Sequence, residues 1–135
     1  MGQVGPVRIL MVEDNAPDAY LVRTALTAAK IDFEFSHAKD GSIALAMLDG
    51  ATGSIADLIL LDLNMPKIDG LAMLTAMRQH PASAKVPIAV LSSSLSQEDM
   101  KRAVELGANR YIVKPIELNE FMTLIAGTVK EMVDL

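Results

Sequence analysis

Along the chain, short apolar β-type runs take turns with stretches in which apolar residues recur at helical spacing. The runs at 7–12, 33–38, 58–62, 88–91 and 111–113 predict strands. Between and after them the spacing predicts helices over 17–30, 42–48, 71–79, 97–106 and 118–132. In the first helix Ala19, Val22, Leu26 and Ala29 share a face, and Pro17 suits an opening turn. Ser96 with Asp99 three residues on resembles a capping box, and Gly107 supplies a stop. Met73, Met77 and Met100 have the spacing of core filler. In the last helix Leu118, Met122, Ile125, Val129 and Met132 form one stripe. Phe121 and Leu124, beside that stripe, are expected to face partly outward and offer a partner or dimer surface.

Strands that are apolar along their whole length are expected where helices cover both faces of a sheet. The alternation of strand and helix therefore predicts an α/β fold, a doubly wound five-stranded parallel sheet with five helices. In such sheets the working site lies beyond the carboxyl ends of the strands.

Composition narrows the classes. A chain of 135 residues suits one domain, here 7–135 after a flexible tail at 1–6. Apolar residues make up 51% and mean hydropathy is +0.32, yet no run approaches the ~20 residues of a membrane span, so a soluble protein is expected. Net charge is −5 with a pI near 4.9, and the twelve Lys and Arg residues are scattered, which argues against nucleic acid as a partner. The absence of cysteine excludes disulfides and thiolate metal sites and fits a cytoplasmic protein. The first six residues lack a signal-peptide pattern.

The polar residues at the predicted strand ends are Glu13-Asp14, Asp62, Ser92-Ser93 and Lys114-Pro115, whereas Ala38-Lys39-Asp40-Gly41 reads as a turn. Asp62 follows Leu58-Ile59-Leu60-Leu61, and a charge at the mouth of a buried strand is costly unless it is used. Acids crowded on one rim repel by roughly 1 to 4 kcal/mol per pair. A cation must offset this, or some of the acids hold protons. Oxygen-only ligands favour Mg2+ or Mn2+. A metal beside a carboxylate, with a lysine and a hydroxyl facing it, suits phosphoryl transfer to Asp62. Asp57 is expected to cap the start of its strand in solvent. His37 and His80 lack paired ligand spacing and are read as surface residues. Ser92 has the place of a switch hydroxyl, and Ser96 that of a helix cap.

Four motifs, in order, carry a resemblance: Val12-Glu13-Asp14-Asn15; Leu60-Leu61-Asp62-Leu63-Asn64-Met65-Pro66 with Asp69-Gly70; Val90-Leu91-Ser92; and Tyr111-Ile112-Val113-Lys114-Pro115. From about Val7 onward the chain resembles the receiver domain of two-component response regulators, which implies a flavodoxin-like (βα)5 fold. The resemblance implies that Asp62 accepts a phosphoryl group from a histidine kinase. It implies that Asp14, Asp62 and the Asn64 backbone carbonyl bind Mg2+ or Mn2+ directly and that Glu13 does so through water. It also makes Ser92 the switch hydroxyl, Lys114 its ion-pairing partner, Tyr111 the aromatic that changes burial, and Asn64 and Ser94 the positions that tune phosphoryl lifetime. The Lys114-Pro115 bond is expected to be cis, although only about 5 to 6% of X–Pro bonds are.

The implied protein is no enzyme beyond its own phosphorylation and dephosphorylation. It would signal by association through the face of helix four, strand five and helix five, where a homodimer is a further expectation. The wording Asn15-Ala16-Pro17-Asp18-Ala19-Tyr20-Leu21, with His80-Pro81 and Leu91-Ser92-Ser93-Ser94, is similar to stand-alone regulators partnered with phytochrome-type kinases. Three rivals fit less well. A haloacid-dehalogenase-like phosphatase commonly carries an acid where Asn64 stands, and a flavodoxin-like cofactor module needs a glycine-rich loop where Glu13 and Asp14 stand. A docking-only pseudo-receiver would not need the intact acid and lysine set.

Overall fold

The computed structural model describes residues 5–64, 70–115 and 117–134. Met65, Pro66 and Asp69 of the second motif, and residues 1–4 of the expected tail, lie outside the described residues.

Five strands and five helices alternate as β1 (Val7–Val12), α1 (Ala16–Ala28), β2 (Phe33–Ala38), α2 (Gly41–Asp49), β3 (Leu58–Asp62), α3 (Gly70–Gln79), β4 (Ile88–Ser92), α4 (Gln97–Glu105), β5 (Arg110–Val113) and α5 (Leu118–Met132). The strands pair in parallel in the order β2-β1-β3-β4-β5. Successive residues of a strand point to opposite faces, so the apolar runs feed two cores. Leu10, Val12, Ile59, Leu61 and Val90 meet Leu48, Leu74, Met77 and Ala103 of α2, α3 and α4. Ile9, Met11, Leu58, Leu60 and Leu91 meet Val22, Leu26, Phe121, Ile125 and Val129 of α1 and α5. β3 is buried along its whole length, as a central strand covered on both sides must be.

Element ends depart from the predicted ones where side chains cap them. Asn15 takes the cap of α1 by accepting the Asp18 N–H at 3.2 Å, so the helix starts at Ala16. It stops at Ala28 because Lys30 turns left-handed at φ 60°, where the Ile31 N–H reaches back to the Leu26 carbonyl. Asp40, read as a turn, caps α2 through the Ile43 N–H at 2.9 Å. Ser96 caps α4 through the Asp99 N–H, but no reciprocal box closes, since the Asp99 carboxylate accepts the Ser94 hydroxyl at 2.6 Å.

Four residues of the expected α5 stripe face the core, Ile125 and Val129 buried and Met122 and Met132 partly so, but Leu118 and Phe121 exchange the places expected of them. Phe121 is buried with Ile125 and Val129, one residue per turn, whereas Leu118 is 49% exposed. Leu124 does face outward. The two histidines are not free surface groups either. The His80 Nδ1 accepts the Ala82 N–H and its Nε2 donates to Asp49 at 2.9 Å, tying the start of the α3–β4 loop to the end of α2. Asp57 accepts the Arg8 backbone N–H and pairs with its guanidinium at 3.1 Å. Burial opposes its charge, but these Arg8 contacts prevail and hold the carboxyl below its ordinary range.

The amino-terminal ends of β4 and β5 are fastened by Arg78, at the end of α3. Its guanidinium donates to the carbonyls of Gly107, Ser83, Ala84 and Val86 and to Asn109 Oδ1, at 2.7 to 3.2 Å. Gly107 has φ +113°, and an added Cβ there would lie 2.7 Å from Arg78 Cγ. At the other end of the same helix, Gly70 leaves room for the Leu63 backbone, whose Cα would sit 2.7 Å from an added Cβ. Removing the guanidinium strands several carbonyls at once, so Arg78→Met is expected to cost about 2 to 4 kcal/mol in urea unfolding. A loss below about 0.5 kcal/mol, the range of ordinary surface changes, would show that water satisfies those carbonyls equally well.

Candidate functional site at the carboxyl edge of the sheet

Sheet register brings the rim residues together. Asp62, the last residue of β3, pairs with Leu91, and Ser92 pairs with Val113. The Glu13 N–H continues the ladder to the Ala38 carbonyl, and the Lys114 N–H to that of Ser92. Glu13 is fully buried and Asp62 is 2% exposed, while Asp14 is open to solvent. Oxygens of Glu13, Asp14 and Asp62 lie within 4.8 Å of one another. Lys114 faces this group with Nζ 3.3 Å from Asp62 Oδ2 and 3.4 Å from Glu13 Oε1.

The charges determine who holds protons. Burial first, then a hydrogen bond to Asp62 and repulsion from it, push the Glu13 carboxyl up to about 9, against the pull of Lys114 and the Asn15 N–H. Glu13 therefore holds a proton more tightly than an ordinary carboxyl. Burial works against the Lys114 charge, but Glu13, Asp62 and Asp18 outweigh it and hold the ammonium above its ordinary range. An all-oxygen set whose members repel one another unless one keeps a proton is the donor chemistry a hard divalent cation fits.

The loops around this core are bound by hydroxyls and amides. The Asn64 N–H donates to Asp62 Oδ1 at 2.8 Å, and Asn64 Oδ1 accepts the Ser93 N–H, linking the ends of β3 and β4. Ser92 Oγ accepts the Ser94 N–H at 3.0 Å. Ser94 in turn accepts the Tyr111 hydroxyl on its carbonyl at 3.2 Å, so one residue joins Ser92 to Tyr111. A cavity of about 180 Å3 lies among Leu63, Asn64, Gly70, Ser92, Ser94, Asp99 and Tyr111.

Two neighbours of the site were not anticipated from the sequence. Asp18 Oδ2 is 3.4 Å from Lys114 Nζ, and the His37 Nε2 donates to the Glu13 carbonyl at 2.6 Å. The signal for Asp18 was its place as an acid in the first turn of a helix that opens on the rim. His37 had the weaker signal of lying next to the end of an edge strand. The expected cis bond before Pro115 is absent, since no peptide bond among the described residues is cis. The trans form is the intrinsically favoured one, and with it Lys114 already reaches the carboxylates.

Comparison with known proteins agrees with this geometry. The response regulator receiver domain family matches residues 9–126. Response regulator Rcp1 of Synechocystis is 35% identical over 126 residues, covering 90% of this chain and 86% of Rcp1. Among solved structures, the phosphorylated cyanobacterial phytochrome response regulator RcpA superposes with a TM-score of 0.84 at 33% identity, covering 96% of this chain and 94% of that one. The Mn2+-bound form of Rcp1 does so equally well, covering 96% of both.

The Glu13 proton has a pH consequence. Its folded pKa is raised above that of the unfolded chain, so without metal its contribution to stability is present below about pH 4.5 and is lost as pH rises toward about 9. The melting temperature of metal-free protein is expected to fall across that range. Saturating Mg2+ should reduce the fall, and Glu13→Gln should flatten it. Parallel pH curves for wild type and Glu13→Gln would remove Glu13 as the cause.

Proposed function

Because the chain belongs to the response regulator receiver domain family of two-component signalling, we propose that Asp62 is the residue on which it accepts a phosphoryl group. What supports this reading is one arrangement: a nearly buried carboxylate at a strand end, facing an ammonium at 3.3 Å, with two further carboxylates within 4.8 Å.

A carboxylate oxygen of Asp62 attacks phosphorus, the P–N bond of a kinase phosphohistidine breaks, and its electron pair returns to the imidazole nitrogen. The product is an acyl phosphate. Lys114 neutralises charge that gathers on the equatorial oxygens. Asp14, Asp62 and the Asn64 carbonyl, with Glu13 behind them, would hold Mg2+ or Mn2+, which supplies further charge neutralisation when bound. Binding there needs Glu13 as an anion, so its proton must leave.

Phosphorylation adds charge and acceptor oxygens, which the Ser92 hydroxyl and Lys114 bind. Ser92 also holds the Ser94 N–H, and Ser94 holds Tyr111 and Asp99, so its movement is felt in α4 and β5. The readout is the α4–β5–α5 face, where Leu95, Val104 and Leu124 are exposed, and the signal passes by association, including with a second copy. Asn64 and Ser94 set the lifetime by controlling access of water. The donor is a cytoplasmic sensor histidine kinase, of phytochrome type in view of the RcpA and Rcp1 likeness. No other catalysis is assigned, and Asn64, a carboxamide with no acidic proton, cannot serve as the general acid of a phosphatase.

Incubation with Mg2+ and acetyl phosphate, followed by intact mass measurement, tests the reading. Wild type should gain one acid-resistant, base-labile phosphoryl group, and Asp62→Asn none. A gain that persists in Asp62→Asn would place the acceptor elsewhere.

A further inference from the structure

We propose that Asp18 is the positioning residue for Lys114: its carboxylate keeps the ammonium at the rim when Asp62 and Glu13 are engaged elsewhere. The inference rests on the phosphoacceptor reading above. Lys114 Nζ has three protons to donate and three carboxylate partners, Asp62 at 3.3 Å and Glu13 and Asp18 at 3.4 Å each. Asp62 and Glu13 belong to the cluster suited to a divalent cation, and Asp18 does not. A carboxylate whose lone pairs face a cation holds an ammonium less well. Positive charge beside Asp62 also repels Lys114. Asp18 is then the anion that remains to hold it.

Local sequence makes Asp18 suited to the task. Asn15 accepts the Asp18 N–H at 3.2 Å through its side chain and donates its own N–H to Glu13 Oε2 at 3.3 Å. Together with the two ion pairs of Lys114, these contacts close a ring through Glu13, Asn15, Asp18 and Lys114. Pro17 presets the first turn of α1, in which Asp18 stands. Lys114 and Asp18 both line a cavity of about 160 Å3 with Leu21, Pro115, Leu118 and Phe121, so the lysine has room to move unless it is held.

The test uses the full chain as wild type, Asp18→Asn and Asp18→Glu, each with Mg2+. A restrained lysine ammonium gives an observable 1H–15N resonance, assigned here by its loss in Lys114→Ala. The resonance is expected in wild type, absent in Asp18→Asn and regained in Asp18→Glu. Phosphorylation by phosphoramidate should slow about tenfold in Asp18→Asn, the loss expected for one charge-assisted contact. The melting temperature should stay close to wild type. An ordered ammonium and an unchanged rate in Asp18→Asn would overturn the proposal. So would a rate loss matched by an equal loss of fold stability. If wild type accepts no phosphoryl group, the phosphoacceptor reading fails, while the ammonium resonance still decides the role of Asp18.

Discussion

The site depends on an excess of negative charge gathered around one ammonium. Glu13, Asp18 and Asp62 all lie within 3.4 Å of Lys114, and Asp14 joins two of them in a single oxygen cluster. A carboxylate as buried as Asp62 is tolerated only with such a partner. The fold serves to impose this crowding. β3, covered by helices on both faces, cannot withdraw Asp62, and the β1 and β5 ladders fix Glu13 and Lys114 on either side. The crowding and burial are felt most at Glu13, whose carboxyl they make a weaker acid than usual.

How much of this was legible in the sequence follows from how local each cause is. β1, β2 and β3 matched residue for residue, and for β1 and β3 the reason is that an apolar run between two helix layers has sharp ends. Helix ends were less legible, since they depend on which side chain folds back: Asn15 and Asp40 cap, and Lys30 turns left-handed. In α5 only the first turn was misjudged, because Leu118 and Phe121 are equally apolar, and only the docking of α5 beside α1 selects Phe121. The same limit applies at the site. Glu13, Asp14, Asp62 and Lys114 stand at strand ends, where topology alone brings them together. Asp18 and His37 reach the rim through the geometry of a helix turn and an edge strand, which pattern does not encode.

The two ends of the sheet are built from different interactions. Under β4 and β5, Arg78 joins two loops with one charged group and many acceptors, and Gly107 exists in the form it does to admit that side chain. Such a hub loosens only if several bonds break together. At the opposite edge the links are single hydrogen bonds in series, from Ser92 to Ser94, then to Tyr111 and Asp99. Each is worth about 1 kcal/mol, somewhat more where Asp99 is charged, and each can be exchanged for a bond to an incoming anion. On the proposed function, a phosphoryl group at Asp62 would offer several strong acceptor oxygens to Ser92 and Lys114, far from Arg78. The change of charge at Asp62 would then pass along these weaker links of the rim, toward α4 and β5.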